Sequence, residues 1–210
     1  MSRRIYIVAA LLAICVPGAA LYAQTPASST DETLPARTRY LPQYNASGEL
    51  MLPKNYREWV YVGSPLTPNA LNNGHAAFPE FHNVFIEPVS YAIYKKTGVF
   101  PEGTIFYKEL ELTLKPEENA DGSRTEPSGR GYFPGEANGA EIAVKDTKRF
   151  GESGGWGYFD FKPTFTTAAV KLKNECAYCH IGTSSDTPHA KRDLVWTQFY
   201  PALDAVPLPK

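Results

Sequence analysis

The ten residues "NECAYCHIGT", 174 to 183, constrain this chain more than any other stretch. They hold Cys176 and Cys179 two residues apart, with His180 following at once. C-x-x-C-H is the attachment pattern of c-type haem: two thiols bond covalently to the porphyrin, and the histidine ligates iron from one side. The competing reading of a lone cysteine pair in an exported chain is a disulfide. His180 shifts that balance towards haem, so one haem c with its iron is expected per chain.

Export is read from the N-terminus. "MSRRIYIVAALLAICVPGAALYAQ" opens on Arg3 and Arg4, runs through an apolar stretch from Ile5 to Val16, breaks at Pro17-Gly18 and reaches Leu21-Tyr22-Ala23. That is the layout of a signal peptide over residues 1–23, cleaved after Ala23, which implies a periplasmic protein. Ile14 before Cys15 argues against a lipoprotein signal. Cleavage would leave Cys176 and Cys179 as the only cysteines. Residues 24–45 are polar and proline-bearing and read as a flexible linker or arm, with the folded domain over 46–205. The body of the chain holds no run of about 20 apolar residues, so no membrane span is expected in the mature chain. A formal net charge of −1 argues against a nucleic-acid partner.

Local patterns give the fold class. Tyr56, Trp59 and Val60 sit at helical spacing ahead of Gly63, which predicts a short helix there. "HNVFIEP" reads as a strand stopped by Pro88. "PVSYAIYKKTG" reads as a helix with proline in its first turn and Gly98 as C-cap. "GTIFYKELELTLK", "AEIAVKD" and "GWGYFDF" read as strands, residues 116–131 as a loop. A helix leads into the haem motif, and "RDLVWTQFYPAL" closes the domain. Strands outnumber helices without βαβ alternation. The expected class is therefore α+β, mainly antiparallel sheet with a few packed helices and one covalently bound haem.

The pattern also speaks to the iron's far side. Simple c-type electron carriers commonly place iron between His and Met, but here the only methionine after the leader is Met51. His75 and His189 lie in loop-like stretches and read as solvated. An open distal position follows, suited to a small ligand. On the strand after Thr104, alternate residues share a face. One face carries Phe106, Lys108, Leu110, Leu112 and Leu114 and reads as core; the other carries Ile105, Tyr107, Glu109, Glu111 and Thr113. Lys108 is therefore an amine in an apolar row, which either snorkels outwards or points at the haem.

"MLPKNYREWVYVG", "YKKTGVFPEGT", "FYKEL", "VKDTKRF" and the C-terminal C-x-x-C-H occur in order, and over residues 46 to 204 the chain resembles the cytochrome P-460 family. That resemblance implies an exported, usually homodimeric, largely antiparallel protein that oxidises hydroxylamine to nitrous oxide, with nitric oxide as a reactant. It implies a covalent bond from Lys108 to the porphyrin, His180 as the iron ligand and Glu141 as the distal proton acceptor. Alternation sets Glu141 opposite in facing to Ala140, Ile142 and Val144, and strand pattern alone would place it at the surface. Where relatives can carry arginine, this chain has His82, facing with Val84 and Ile86, either a distal hydrogen-bond donor or a core histidine. A small c-type cytochrome is the expected electron acceptor. The rival function is that of the cytochrome c′-β relatives, non-enzymatic gas binders with an apolar pocket that Phe81, Phe85, Phe100, Phe106 and Phe133 could line.

Overall fold

A computed structural model describes residues 39–182 and 193–206. The N-terminal leader, most of the arm and His189 lie outside the described residues. The described chain runs β1 (Leu50–Met51), β2 (Val60–Gly63), β3 (Phe81–Ile86), α1 (Pro88–Thr97), β4 (Ile105–Thr113), β5 (Arg124–Glu126), β6 (Gly129–Gly131), β7 (Pro134–Lys145), β8 (Trp156–Phe161), β9 (Thr167–Ala168), α2 (Tyr178–Gly182) and α3 (Pro201–Asp204). Five strands form one antiparallel sheet in the order β2-β3-β4-β7-β8, and there are two small antiparallel pairs, β1-β9 from distant parts of the chain and the β5-β6 hairpin. The α+β class expected from the sequence is the one observed.

Both faces of the sheet are covered, and this explains its patterning. One face holds Val84, Ile86, Phe106, Trp156 and Tyr158, under Tyr94 of α1 and the C-terminal Leu203 and Val206. The other holds Ile105, Tyr107, Ile142, Val144, Phe159 and Phe161, under Leu50, Trp59 and Phe150. Burying a large apolar side chain is worth about 1.5–3 kcal/mol, so each core contributes independently to holding the sheet. The strand face carrying Ile105 and Tyr107 is thus a second core. Its buried carboxylate, Glu109, is neutralised by Arg57 and hydrogen-bonded by Tyr56.

Helix α1 forms where capping dictates. The Glu87 side chain accepts from the backbone N–H groups of Val89 and Ser90, Pro88 fills the first turn, and Gly98 closes the helix at φ 72°. Elsewhere the local reading is corrected. The helix expected over 56–63 is one 3₁₀ turn, Tyr56–Glu58, followed by β2. The alternating "VYV" pairs with β3, and a sheet partner outweighs helical spacing over so few residues. The 116–131 loop contains the β5-β6 pair. The approach to the haem motif is a wide helical turn, Lys173–Ala177, before α2.

Candidate haem-binding site

Register places the candidate residues. Val84 on β3, Lys108 on β4, Glu141 on β7 and Asp160 on β8 are successive cross-strand partners. Directly opposed residues share a face, so they form one transverse row on the side of the first core. The next row, Ile86, Phe106, Ala143 and Tyr158, is apolar. His82, opposite Leu110, lies on the other side of the polar row. Alternation therefore set Glu141 correctly apart from Ala140, Ile142 and Val144, but the face it occupies is sheltered. Lys108 and Glu141 form a salt bridge, with their side chains 21 % and 22 % exposed.

Phe78 covers this row from the preceding loop. The Lys108 Nζ lies 4.5 Å from the centre of its ring, and the ring packs edge-on against His82 at 5.9 Å. Burial, reinforced by the Lys108 charge, lowers the His82 imidazole from 6.5 to about 4, against a hydrogen bond to the Phe78 backbone. His82 is therefore neutral at pH 7. Its Nε2 is buried with no hydrogen-bond partner among the described residues.

The attachment motif comes to the same face. Cys176 packs against the first core, and burial pushes its thiol up to about 11, with the Glu141 charge adding to the effect and Lys108 opposing it. That coupling puts the motif and the Lys108–Glu141 row in one electrostatic neighbourhood. Cys179 is exposed. The His180 ring packs on Tyr158 at 4.5 Å and on Trp196 at 4.1 Å between centroids, and its Nδ1 lies 2.8 Å from the Leu194 carbonyl. A carbonyl oxygen only accepts, so Nδ1 carries the proton, and Nε2 presents the lone pair that binds a metal.

Leu194 is held firmly. Asp193 and Leu194 lie at φ 49° and 63°, in the left-handed region that side chains other than glycine rarely occupy. The buried Lys145 fixes this turn through a 2.7 Å bond to Asp193, with its Nζ over Trp156 at 5.3 Å. Burial also raises the phenols of Tyr158 and Tyr200, that of Tyr200 to about 12 with Glu141 adding to it, so both stay protonated.

Of the remaining candidates, Phe106 lies one row from Lys108 on the same face, with Phe100 packed on it. Met51 is exposed on β1, His75 is exposed in the turn after residues 69–72, and Phe81 and Phe85 take the opposite parity of β3 from His82. Phe100 and Phe106 sit in the core with Tyr94 and Trp156. Phe78, Tyr158, Trp196 and the Lys145–Asp193 pair were missed from sequence. One aromatic in a chain that is 13 % aromatic carries no local signal. An open groove at β2, lined by Tyr61, Gly63, Phe199 and Pro201, contains none of these residues.

The arrangement fits a c-type haem. Two thiols stand at the attachment spacing, a backbone carbonyl selects the metal-binding nitrogen of His180, and an orphaned imidazole nitrogen lies on the same sheet face. Among the described residues, no helix is long and apolar enough to cross a membrane. No curated protein matches the chain. The family model for Cytochrome P460 matches residues 53–197, which spans β2 to the Trp196 turn and takes in Lys108, Glu141 and the whole attachment motif, so this chain belongs to the cytochrome P460 family of haem c cytochromes.

Proposed function

We propose that the protein is an exported, periplasmic enzyme that combines hydroxylamine with nitric oxide to give nitrous oxide at an open distal iron position. The observation that carries this reading is the placement of Glu141: it shares a sheltered face with Lys108 and bonds to it, within electrostatic reach of Cys176. A purely gas-binding pocket has no use for a sheltered carboxylate there. The haem, when bound, supplies a coordination position for the small nitrogen ligand and an outlet for electrons.

The chain's own residues supply the proton chemistry. Uniting one hydroxylamine with one nitric oxide to give nitrous oxide and water releases one proton and one electron. Glu141 would accept that proton, being the carboxylate that shares a sheltered face with Lys108. Lys108 is the candidate for a bond to the porphyrin. Joining an amine nitrogen to a ring carbon removes two electrons and two protons, so the bond needs a two-electron oxidant. Once formed, it would relieve Glu141 of its ammonium partner and leave the carboxylate free to act as a base. His180, oriented by the Leu194 carbonyl, would hold the iron through Nε2. A small c-type cytochrome as electron acceptor and a homodimeric assembly belong to the same reading.

The absorption spectrum of the ferrous holoprotein is the direct test of the Lys108 bond. A strongly red-shifted Soret band is expected, reverting in Lys108→Met. Glu141→Ala is expected to lower hydroxylamine turnover by about 100-fold, the lower end of the range for a proton-transfer group, with haem content unchanged. An ordinary five-coordinate c-type spectrum together with undiminished turnover in Glu141→Ala would remove the enzyme reading in favour of gas binding.

A further inference from the structure

Glu80 is a second sheltered carboxylate at the site. It is 6 % exposed, immediately precedes β3, and stands two residues before His82. Its Oε1 accepts a 2.6 Å hydrogen bond from Asn138 Nδ2 on β7, so the side chain reaches across β4 to make it. Its Oε2 is buried with no hydrogen-bond partner among the described residues, and the same holds for His82 Nε2.

The Asn138 contact is built. Between Glu109↔Ala140 and Glu111↔Ala137, three steps of β7 oppose two of β4, which is a bulge. Such an insertion re-aims a side chain. Gly139 makes it possible: φ is +97°, and a Cβ there would stand 2.1 Å from the Phe161 carbonyl oxygen. The bulge turns Asn138 towards Glu80 and fixes one carboxylate oxygen, leaving the other to serve a neighbour.

The chemistry of the two orphans is specific. In the tautomer that keeps its proton on Nδ1, His82 presents a lone pair at Nε2. A carboxylate Oε2 is likewise an acceptor. Two buried acceptors cannot satisfy each other. They call for a mobile proton, or a small donor such as water, between them. Among the described residues, the ionisable groups on this face or packed against it include Lys108 of β4, Glu141 and Lys145 of β7, Tyr158 and Asp160 of β8, Tyr91 and Tyr94 of α1, and Cys176, His180 and Tyr200 of the C-terminal segments, while β2 contributes Val60 and Val62 to the core there and the covering loop contributes Phe78.

We propose that Glu80 and His82 form an outward proton relay from the distal pocket, with Glu80 as the terminal acceptor. A proton received at His82 Nε2 gives an imidazolium. That N–H then passes its proton through one bridging water to Glu80 Oε2, restoring the neutral ring and leaving a carboxylic acid. One proton moves and no electron does. The direction of flow rests on the hydroxylamine reading; the coupling of Glu80 to the pocket does not.

The test uses the haem-loaded protein and Glu80→Gln, which keeps an oxygen to accept from Asn138 while losing the acidity. Two readouts separate the claims. The first is the pH-dependent absorption transition of the ferric holoprotein. Losing one buried negative charge near the pocket is expected to move its midpoint down by about one pH unit. The second is hydroxylamine turnover across pH, expected to fall roughly tenfold near neutrality, a modest share of what proton transfer contributes. Asn138→Ala, which keeps the charge but loses its aim, should lower turnover and leave the midpoint near that of the parent. A midpoint unmoved in Glu80→Gln overturns the relay, as does unchanged turnover in both variants. Should the parent protein fail to oxidise hydroxylamine, the functional reading falls, and the midpoint alone decides for or against Glu80.

Discussion

At His82 burial sets the charge, and pH exposes it. The ring titrates near 6.5 when unfolded and near 4 when folded. Between those values the unfolded chain binds a proton that folded His82 refuses. The depressed folded value therefore makes stability fall as pH drops from about 6.5 towards 4. Chemical denaturation of the holoprotein at pH 7 and pH 4.5 checks this: the loss at pH 4.5 is expected to be smaller in His82→Asn than in the parent. The same residue shows what sequence can tell. Strand parity was enough to place His82 with Val84, to put Lys108 on the face of Phe106 and to set Glu141 apart from Ile142, while it left open whether Lys108 snorkels outwards or points inward. C-x-x-C-H was legible because covalent attachment fixes residue types at a fixed spacing. Parity could not say that Glu141's face was sheltered, since both sheet faces are covered by segments distant in sequence. Phe78, Tyr158 and Trp196 reach the site only through tertiary packing, which leaves no periodic trace.

Elements supply what single residues cannot. The β7 bulge depends on Gly139, and Gly139→Ala combines a disfavoured φ with a clash on the Phe161 carbonyl. A loss of about 2 kcal/mol or more is expected, in the range of stored backbone strain, read by denaturation of the holoprotein. The Asp193-Leu194 turn is a second such element, because it carries the carbonyl that orients His180. Asp193→Ala strands the buried Lys145 ammonium and should cost about 3 kcal/mol, as breaking a buried pair does. It should also shift the haem reduction potential, which a mere packing defect elsewhere in the sheet would not. Helix α1 was readable in advance because its caps are local. Strand β2 was not, because Tyr56, Trp59 and Val60 fit a helix until a partner strand pulls "VYV" straight.

At the scale of the molecule, the sheet separates two cores with different duties. The core of Leu50, Trp59, Ile142 and Phe159 lies on the face opposite Lys108 and Glu141, while the core of Ile86, Phe106 and Trp156 shares their face and takes in Cys176. Hydrogen exchange on protein made without haem, through Cys176→Ser with Cys179→Ser, checks this division. Protection is expected to drop over residues 172–182 and around Leu194, and to persist in the strands facing the second core. The site, moreover, is written in the pairing of strands. Lys108 meets Glu141, and Glu80 meets Asn138, only because β3, β4 and β7 keep one alignment. Deleting or adding a single residue inside β4 would exchange its two faces: Tyr107 or Glu109 would turn to the side of Glu141, and Lys108 would be driven among Ile142 and Phe159. Such a chain could retain almost every amino acid it began with and lose every relation that matters. Tolerance of length change should therefore be confined to segments such as 116–131, and the strands, permissive of many exchanges at single positions, should admit no change of count.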